Sequence, residues 1–543
     1  MGAKIFARLE SVTAPLWQWC AGFIGIIFIR FFFENFSSPT PSFPATPDAA
    51  TMVHYSLFFI GIFISFALIL RIFVSDIGNV TKFLFFAFPI IWLPPIIDLI
   101  VSRGVGYRIA YLFPATMQPS SLLRAFLALG SPSPFGGVTP GIHAELVAIL
   151  IGAALYVYLK TRKVFSAGAA AAMIYLAWFF WFAFPTLIVA IPHFFTGLPT
   201  TISPLSSITS SFLSSHLLQN SLRPNALPTY PYAVETAFNK GMSAILCLVD
   251  FLLIAGWALL RNPALVRAVS RNLRPARAAY YLGMVAVGTI AVARNAAAPI
   301  IANWVDGAYF AVLMLTYLCA WLFAVSTNDL ADIAIDTVSN AARPLPSHAV
   351  RETDLSDAAF FFLAWLLIGG FVCGYWATFT VLTFTAAYYI YSARPLRLKR
   401  IPLLSSFLIS VATLSALMAG FYFADPGKTV SDFPARIILL VIVCITLAAN
   451  FKDIKDVAGD RMDGIATIPV IFGEERGKQI AGTLLAAAFL LVPAILKNWA
   501  LFLPSLAAAS FGYGFCVTKH YKEWRVFAVY FIYLGVVCAL LWG

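Results

Sequence analysis

The stretch NDLADIAID, residues 328–336, sets an asparagine and three aspartates directly behind a long apolar run, in a chain of which only 11% is charged. A carboxylate near the hydrocarbon boundary of a bilayer costs a few kcal/mol, so a row of them persists only where something compensates the charge. What compensates it decides how the whole chain is read.

The surroundings of the stretch are a membrane sequence. Hydrophobic residues make up 61% of the 543, with a mean hydropathy of +0.86, more than a soluble core of this size can bury. Apolar runs of about twenty residues suffice to cross a hydrocarbon layer of ~30 Å, where only helices or closed barrels satisfy the backbone. The runs here are continuous, which favours helices. They predict an all-α polytopic membrane protein with about fifteen transmembrane helices, starting near residues 16, 52, 80, 143, 166, 240, 278, 304, 358, 376, 402, 433, 479, 499 and 525.

A net charge of +12 would suggest nucleic acid in a soluble protein, but here the positions of Lys and Arg matter more than their sum. Clusters at Lys4/Arg8, Arg71, Lys160/Arg162/Lys163, Arg261 to Arg277, Arg394 to Arg400 and Lys519/Lys522/Arg525 fall on one side when the N-terminus is cytoplasmic. No nucleic-acid partner is expected. Arg103 and Arg108 fall on the other side, so 98–114 is the weakest part of this topology. The N-terminus reads as an uncleaved first span, since no small-residue cleavage site follows the run from Leu16. The seven cysteines lie in apolar runs without metal-type spacing and read as packing residues.

The arginine-rich RNPALVRAVSRNLRPARA, residues 261–278, divides the chain into a first membrane domain, 1–262, with about six spans and no assignable role, and a second, 263–543, with about nine. In the first, Asp250 lies inside an apolar run and is either functional or bonded to a neighbouring helix. His143 and Glu145 read as capping or interfacial, Asp98 with Arg103 as a boundary ion pair, and YLAWFFWFAF (175–184) as lipid-facing bulk.

On an α-helix Asn328, Asp332 and Asp336 share one face at i, i+4 and i+8, and Asp329 sits three residues before Asp332. Like charges so placed repel, and a hard divalent cation with oxygen ligands removes that cost. NFKDIKDVAGDRMDGIATIPVIFG, from residue 450, repeats the pattern with Asp453, Asp456 and Asp460 at i, i+3 and i+7. Either cluster alone reads equally well as a solvated helix end. Two of them in a carboxylate-poor chain, opposed across a cavity, point to a site for two Mg²⁺ ions, and Mg²⁺ typically binds through one or two carboxylates plus substrate phosphates. A greasy cavity with such a mouth suits a diphosphate head on a hydrocarbon tail, with aromatic faces to stabilise a developing allylic cation. Arg343, Arg397, Lys399 and Lys452 are the candidate phosphate clamps, although the run YSARPLRLKR (391–400) also reads as a positive-inside anchor.

NDLADIAID followed by RPLPS, then YSARPLRLKR, then KDIKDVAGDRMDGIATIPVIFG, resembles the successive signatures of the UbiA superfamily of intramembrane prenyltransferases, over about residues 268–543. The resemblance implies a nine-helix bundle and a Mg²⁺-dependent transfer of a prenyl group from a polyprenyl diphosphate to a lipid-soluble acceptor, such as a quinone-ring precursor, a chlorin or a glycerol-phosphate lipid, in the membrane of a prokaryote with the site open to the cytoplasm. Carried over by position, Asn328, Asp329, Asp332, Asp336, Asp453, Asp456 and Asp460 are metal residues, with Asp332, Asp336, Asp456 and Asp460 the catalytic carboxylates. His348 stands where a glycine is common, Arg394 where a proline is, and Ser405/Ser406 where Gly-Asn is frequent; these departures bear on loop packing or acceptor recognition more than on metal chemistry. A terpene cyclase, a phosphoribosyl transferase and a cation- or proton-coupled transporter are the competing readings. The last predicts carboxylates in mid-span, whereas both clusters lie at span ends.

Overall fold

A computed structural model of the chain describes residues 6, 8–36, 49–107, 111–129, 138–196, 201–221, 232–293, 299–339, 341–425 and 427–542. Lys4 and Arg108, used above for topology, lie outside them. Among the described residues every regular element is a helix. The chain forms two compact units, one of Met1–Gln219, Asn225–Pro263 and Asn303–Ala308, the other of Asn220–Pro224, Ala264–Ala302 and Tyr309–Gly543.

The first unit holds α1 (Leu16–Phe36), α2 (Ala49–Phe73), α3 (Ile77–Val101), α4 (Pro140–Thr161), α5 (Val164–Thr196) and α6 (Tyr232–Arg261). Asp76 starts α3 by accepting from the N–H groups of Gly78 (2.7 Å) and Asn79 (3.3 Å), because the first turn of a helix has no internal partners for its donors. The second unit holds α7 (Pro275–Ala293), α8 (Trp304–Ala331), α9 (Ile333–Ser339), α10 (Glu352–Cys373), α11 (Tyr375–Ser392), α12 (Leu404–Ala424), α13 (Ala435–Lys455), α14 (Val457–Met462), α15 (Glu474–Leu496), α16 (Trp499–Val517) and α17 (Glu523–Trp542); the first turn of α8 is grouped with the first unit.

All fifteen apolar runs are helices. Fourteen are long and apolar enough to cross a membrane; the remaining one, the 18-residue α11, is diluted by threonines and tyrosines. With this composition the protein is an integral membrane protein.

The tightest seam of the second unit is α7 against α12. A Cβ added at Gly288 would run into the carbonyl oxygen of Leu417 and lie 3.0 Å from the Phe421 nitrogen. A Cβ at Gly420 would run into the carbonyl of Val285 and lie 2.7 Å from the Thr289 nitrogen. Backbone meets backbone there, the packing that small residues permit between helices in a bilayer.

Four expectations for the first unit are revised. Asp98 does not pair with Arg103, which is exposed with φ 58°; it accepts from the Thr139 hydroxyl (2.5 Å) and the Gly141 N–H (2.7 Å) at the start of α4. A buried carboxylate is better satisfied by the free donors of a helix start than by an arginine that can reach water. Asp250 is fully buried, but neither carboxylate oxygen has a hydrogen-bond partner, so it is not bonded to a neighbouring helix. The aromatic run is not simply lipid-facing, since Trp178 and Trp181 pack inside the unit. His143 bonds the carbonyl of Leu129 at 3.0 Å, in keeping with an interfacial role, whereas Glu145 is buried.

Candidate functional site: two acidic helix junctions under a basic loop

Neither acidic cluster lies along one continuous helix. α8 ends at Ala331, Asp332 stands at the break, and its carbonyl accepts the Asp336 N–H (2.9 Å) to begin α9. In the second cluster the backbone winds loosely at Val441–Ile445 and tightly at Ala449–Lys455. Asp456 then marks the junction, and its carbonyl accepts the Asp460 N–H (2.9 Å) to open α14. Changes of winding reset the 3.6-residue register, so the one-face arrangement read from the spacing does not hold at either cluster.

The two junctions meet because α9 packs on α14. The basic loop after α11 supplies the charge between them. Arg397 Nη2 donates to Asp332 Oδ1 at 2.7 Å, and Lys399 Nζ donates to Asp332 Oδ2. Lys399 also acts on Asp460: burial pulls its ammonium below the usual lysine range, while the charges of Asp332 and then Asp460 push it back up. Asp332 pairs with this cation directly, whereas Asp460 feels it only as a nearby charge.

The remaining candidates divide into clamped and unclamped groups. Asp329 accepts from Asn272 and from Arg274 Nη2 (2.7 Å), with Arg343 Nη1 at 3.4 Å. Arg343 also donates to Asp336. Burial raises the Asp336 carboxyl above its ordinary range, opposed by Arg343. Lys452 donates to Asp453 at 2.7 Å and lies 5.9 Å from the centre of the Tyr391 ring. Asp456 and Asp460 carry no side-chain ion pair among the described residues. Burial, reinforced by Asp453 and Asp456, pushes Asp460 up to about 7. Asn328 is half-buried at the end of α8.

Each of the four candidate phosphate clamps therefore sits on a candidate metal carboxylate: Arg343 on Asp336, Arg397 and Lys399 on Asp332, Lys452 on Asp453. No trio of acidic, histidine or cysteine side chains among the described residues converges to hold an ion alone. The donor set still fits Mg²⁺. It is all oxygen, it leaves Asp456 and Asp460 free, and a cation that completes its shell with substrate phosphate does not need three protein ligands.

Residues missed by the sequence reading complete the arrangement. Asp463 lies 2.6 Å from Arg397 and 3.5 Å from Arg400; its place three residues past Asp460 was the available signal. Asn272 and Arg274 fix Asp329, and Glu523 joins Arg277 to Lys455, partners separated by too much chain for any spacing rule to find. His348 adopts φ 54°, the left-handed region that favours glycine, which accounts for a glycine being common at that position. Ser406 donates to Asn450 at 3.1 Å, tying α12 to α13.

Comparison with known proteins agrees with this region of the chain. Chlorophyll synthase of Arabidopsis thaliana is 30% identical over 183 residues, 31% of this chain and 45% of that protein. Digeranylgeranylglyceryl phosphate synthase of Methanobrevibacter smithii is 26% identical over 187 residues, 32% of this chain and 64% of that protein. The chain thus spans about half the length of the curated relatives it matches. Among solved structures, a UbiA homologue from Archaeoglobus fulgidus bound to GPP and Mg²⁺ aligns with 50% of this chain and 97% of its own, at 18% identity and a TM-score of 0.38. A family model, the UbiA prenyltransferase family, matches residues 282–537, a span that includes both acidic junctions and the basic loop. Over residues 282–537 this chain is similar to the UbiA prenyltransferase family.

Proposed function

We propose that the chain transfers a prenyl group from a polyprenyl diphosphate to a lipid-soluble acceptor, releasing diphosphate, with Mg²⁺ held at the two acidic junctions. One observation carries the reading: α9, which opens at Asp332, packs on α14, which carries Asp460, so two acidic junctions far apart in the chain come together. Family relatives named for prenyl transfer to chlorin and glycerol-phosphate acceptors support it.

In this reading Asp332, Asp456 and Asp460 hold the cation, with Asn328, Asp336 and Asp453 beside them and Asp329 bracing the α8 end through Asn272 and Arg274. When bound, Mg²⁺ supplies the positive charge that makes diphosphate a good leaving group. Arg397 and Lys399, released from Asp332, turn to phosphate oxygens, the arginine with a planar fork and the lysine as a point charge. Arg343 and Lys452 contribute at the edges. On α7, α8 and α11, Tyr281, Trp321, Phe384 and Tyr388 pack ring against ring. Their faces suit an isoprenoid tail and the positive charge that develops as the C–O bond opens. The positive-inside placement of the basic loops supports an opening on the cytoplasmic side of the membrane.

The test uses the purified full chain in detergent with Mg²⁺ and prenyl diphosphates of increasing length, read by diphosphate release and by mass spectrometry of extracted lipid. Release coupled to a prenylated acceptor supports the reading. A cyclised hydrocarbon or alcohol formed without acceptor would replace it with a cyclase, and no release with any prenyl donor would end it.

A further inference from the structure

Asp332 is buried with both oxygens already engaged, Oδ1 by Arg397 (2.7 Å) and Oδ2 by Lys399. A metal can take this carboxylate only if those cations have somewhere else to place their charge. Arg397 is the harder case. Its side chain is 2% exposed, and a guanidinium does not escape by losing a proton. A buried charge stripped of its partner is strongly destabilising.

The structure supplies a second partner. Asp463 Oδ2 lies 2.6 Å from Arg397 Nη1, on the opposite arm of the fork from the one that holds Asp332. The alignment falls short of a hydrogen bond, so the pair is a Coulombic tether that leaves the planar group free to re-aim. The backbone beneath it is pinned: Arg397 sits at φ 44°, ψ 53°, its N–H bonded to the Ala393 carbonyl at 2.8 Å. Only the side chain can move. Arg400, 47% exposed and 3.5 Å from the same oxygen, already has water for its charge.

We propose that Asp463 is a positioning residue that keeps Arg397 neutralised when Asp332 passes to a divalent cation, leaving Nη2 as a free donor beside that carboxylate for a diphosphate oxygen. This rests on the reading of Asp332 as a metal ligand. Without Asp463, Arg397 has Asp332 as its one close acidic partner among the described residues and competes with the metal for it.

The test is Mn²⁺ binding to the purified full chain in detergent, with Mn²⁺ in place of Mg²⁺ and the free ion counted by its paramagnetic resonance signal. Asp463→Asn should weaken Mn²⁺ binding about tenfold, a coupling of ordinary size, and Asp463→Glu should recover most of it. In an Arg397→Gln background the Asp463→Asn change should have no further effect, because the residue acts through Arg397. Wild-type affinity in Asp463→Asn, or an equal loss with Arg397 absent, overturns the proposal. If Asp463→Asn does not fold, Asp463→Ser with and without Arg397→Gln makes the same comparison. Asp332→Asn separates the two kinds of failure. Mn²⁺ binding insensitive to Asp332 removes the metal reading and this proposal with it, whereas binding that depends on Asp332 and not on Asp463 removes this proposal alone.

Discussion

Arg397 donates to Asp332 at 2.7 Å across 65 positions of sequence, and the guanidinium that makes this contact is almost wholly buried. Two groups that read as parts of one ligand-binding machinery thus hold each other. Removing either should be felt in function before it is felt in fold. Asp332→Asn or Asp460→Asn should bring diphosphate release below detection with Mg²⁺ present, while far-UV circular dichroism in detergent stays that of the parent. Near-normal turnover in either purified variant would remove the metal assignment.

Lys399→Gln should spare metal binding and weaken the donor. The charge-assisted bond it would make to phosphate is worth about 1.5–3 kcal/mol, or roughly 10- to 100-fold in KM for the prenyl diphosphate. An unchanged KM with a lowered kcat would place Lys399 outside the diphosphate site.

Asp460 gives a pH dependence whose sign is fixed by its surroundings. Its folded carboxyl titrates near 7 because burial and the neighbouring Asp453 and Asp456 disfavour the charge, whereas an unfolded aspartate titrates near 3.8. The folded protein therefore holds the proton more tightly, and metal-free stability should fall as pH rises through that window and stay low above it. A divalent cation replaces the proton and removes the cost, so the rise in unfolding midpoint on adding Mg²⁺ should be larger at pH 8 than at pH 5.5. Equal Mg²⁺ stabilisation at the two pH values would contradict the placement of the ion at Asp460.

The α7–α12 seam sets a limit on side-chain size. Gly420→Val drives a branched side chain into the Val285 carbonyl and should lower the thermal midpoint, with overpacking costs of about 1–3 kcal/mol or more. Gly283→Ala, on the same α7 but with nothing within 4 Å of the added carbon, should leave the midpoint unchanged and serves as the control.

In the first unit, Asp98→Ala leaves the Thr139 hydroxyl and the Gly141 N–H without their acceptor, a loss of about 1–3 kcal/mol for each buried group left unmade. Arg103→Ala should be silent, since Arg103 is exposed and takes no part in that contact. A destabilised Arg103→Ala with an unaffected Asp98→Ala would restore the ion pair that the local spacing suggests.

Much of this was legible in the chain because it is local. Runs of apolar residues determined the fifteen helices, since a continuous run long enough to cross a bilayer satisfies its backbone hydrogen bonds within itself only as a helix. Two Asp-rich segments and YSARPLRLKR marked the candidate site residues and the family they resemble. Their relative geometry was not legible in the same way. The i, i+4, i+8 spacing assumed one winding, and the helix breaks at Asp332 and Asp456 set another. Tertiary structure alone decided that the junctions at Asp332 and Asp456 meet, that Lys399 pairs with Asp332, that Asp463 holds the far arm of Arg397, and that Asp98 caps α4. Buried charges choose partners by distance in a medium that screens them poorly, and distance between residues far apart in sequence is created only when the helices pack.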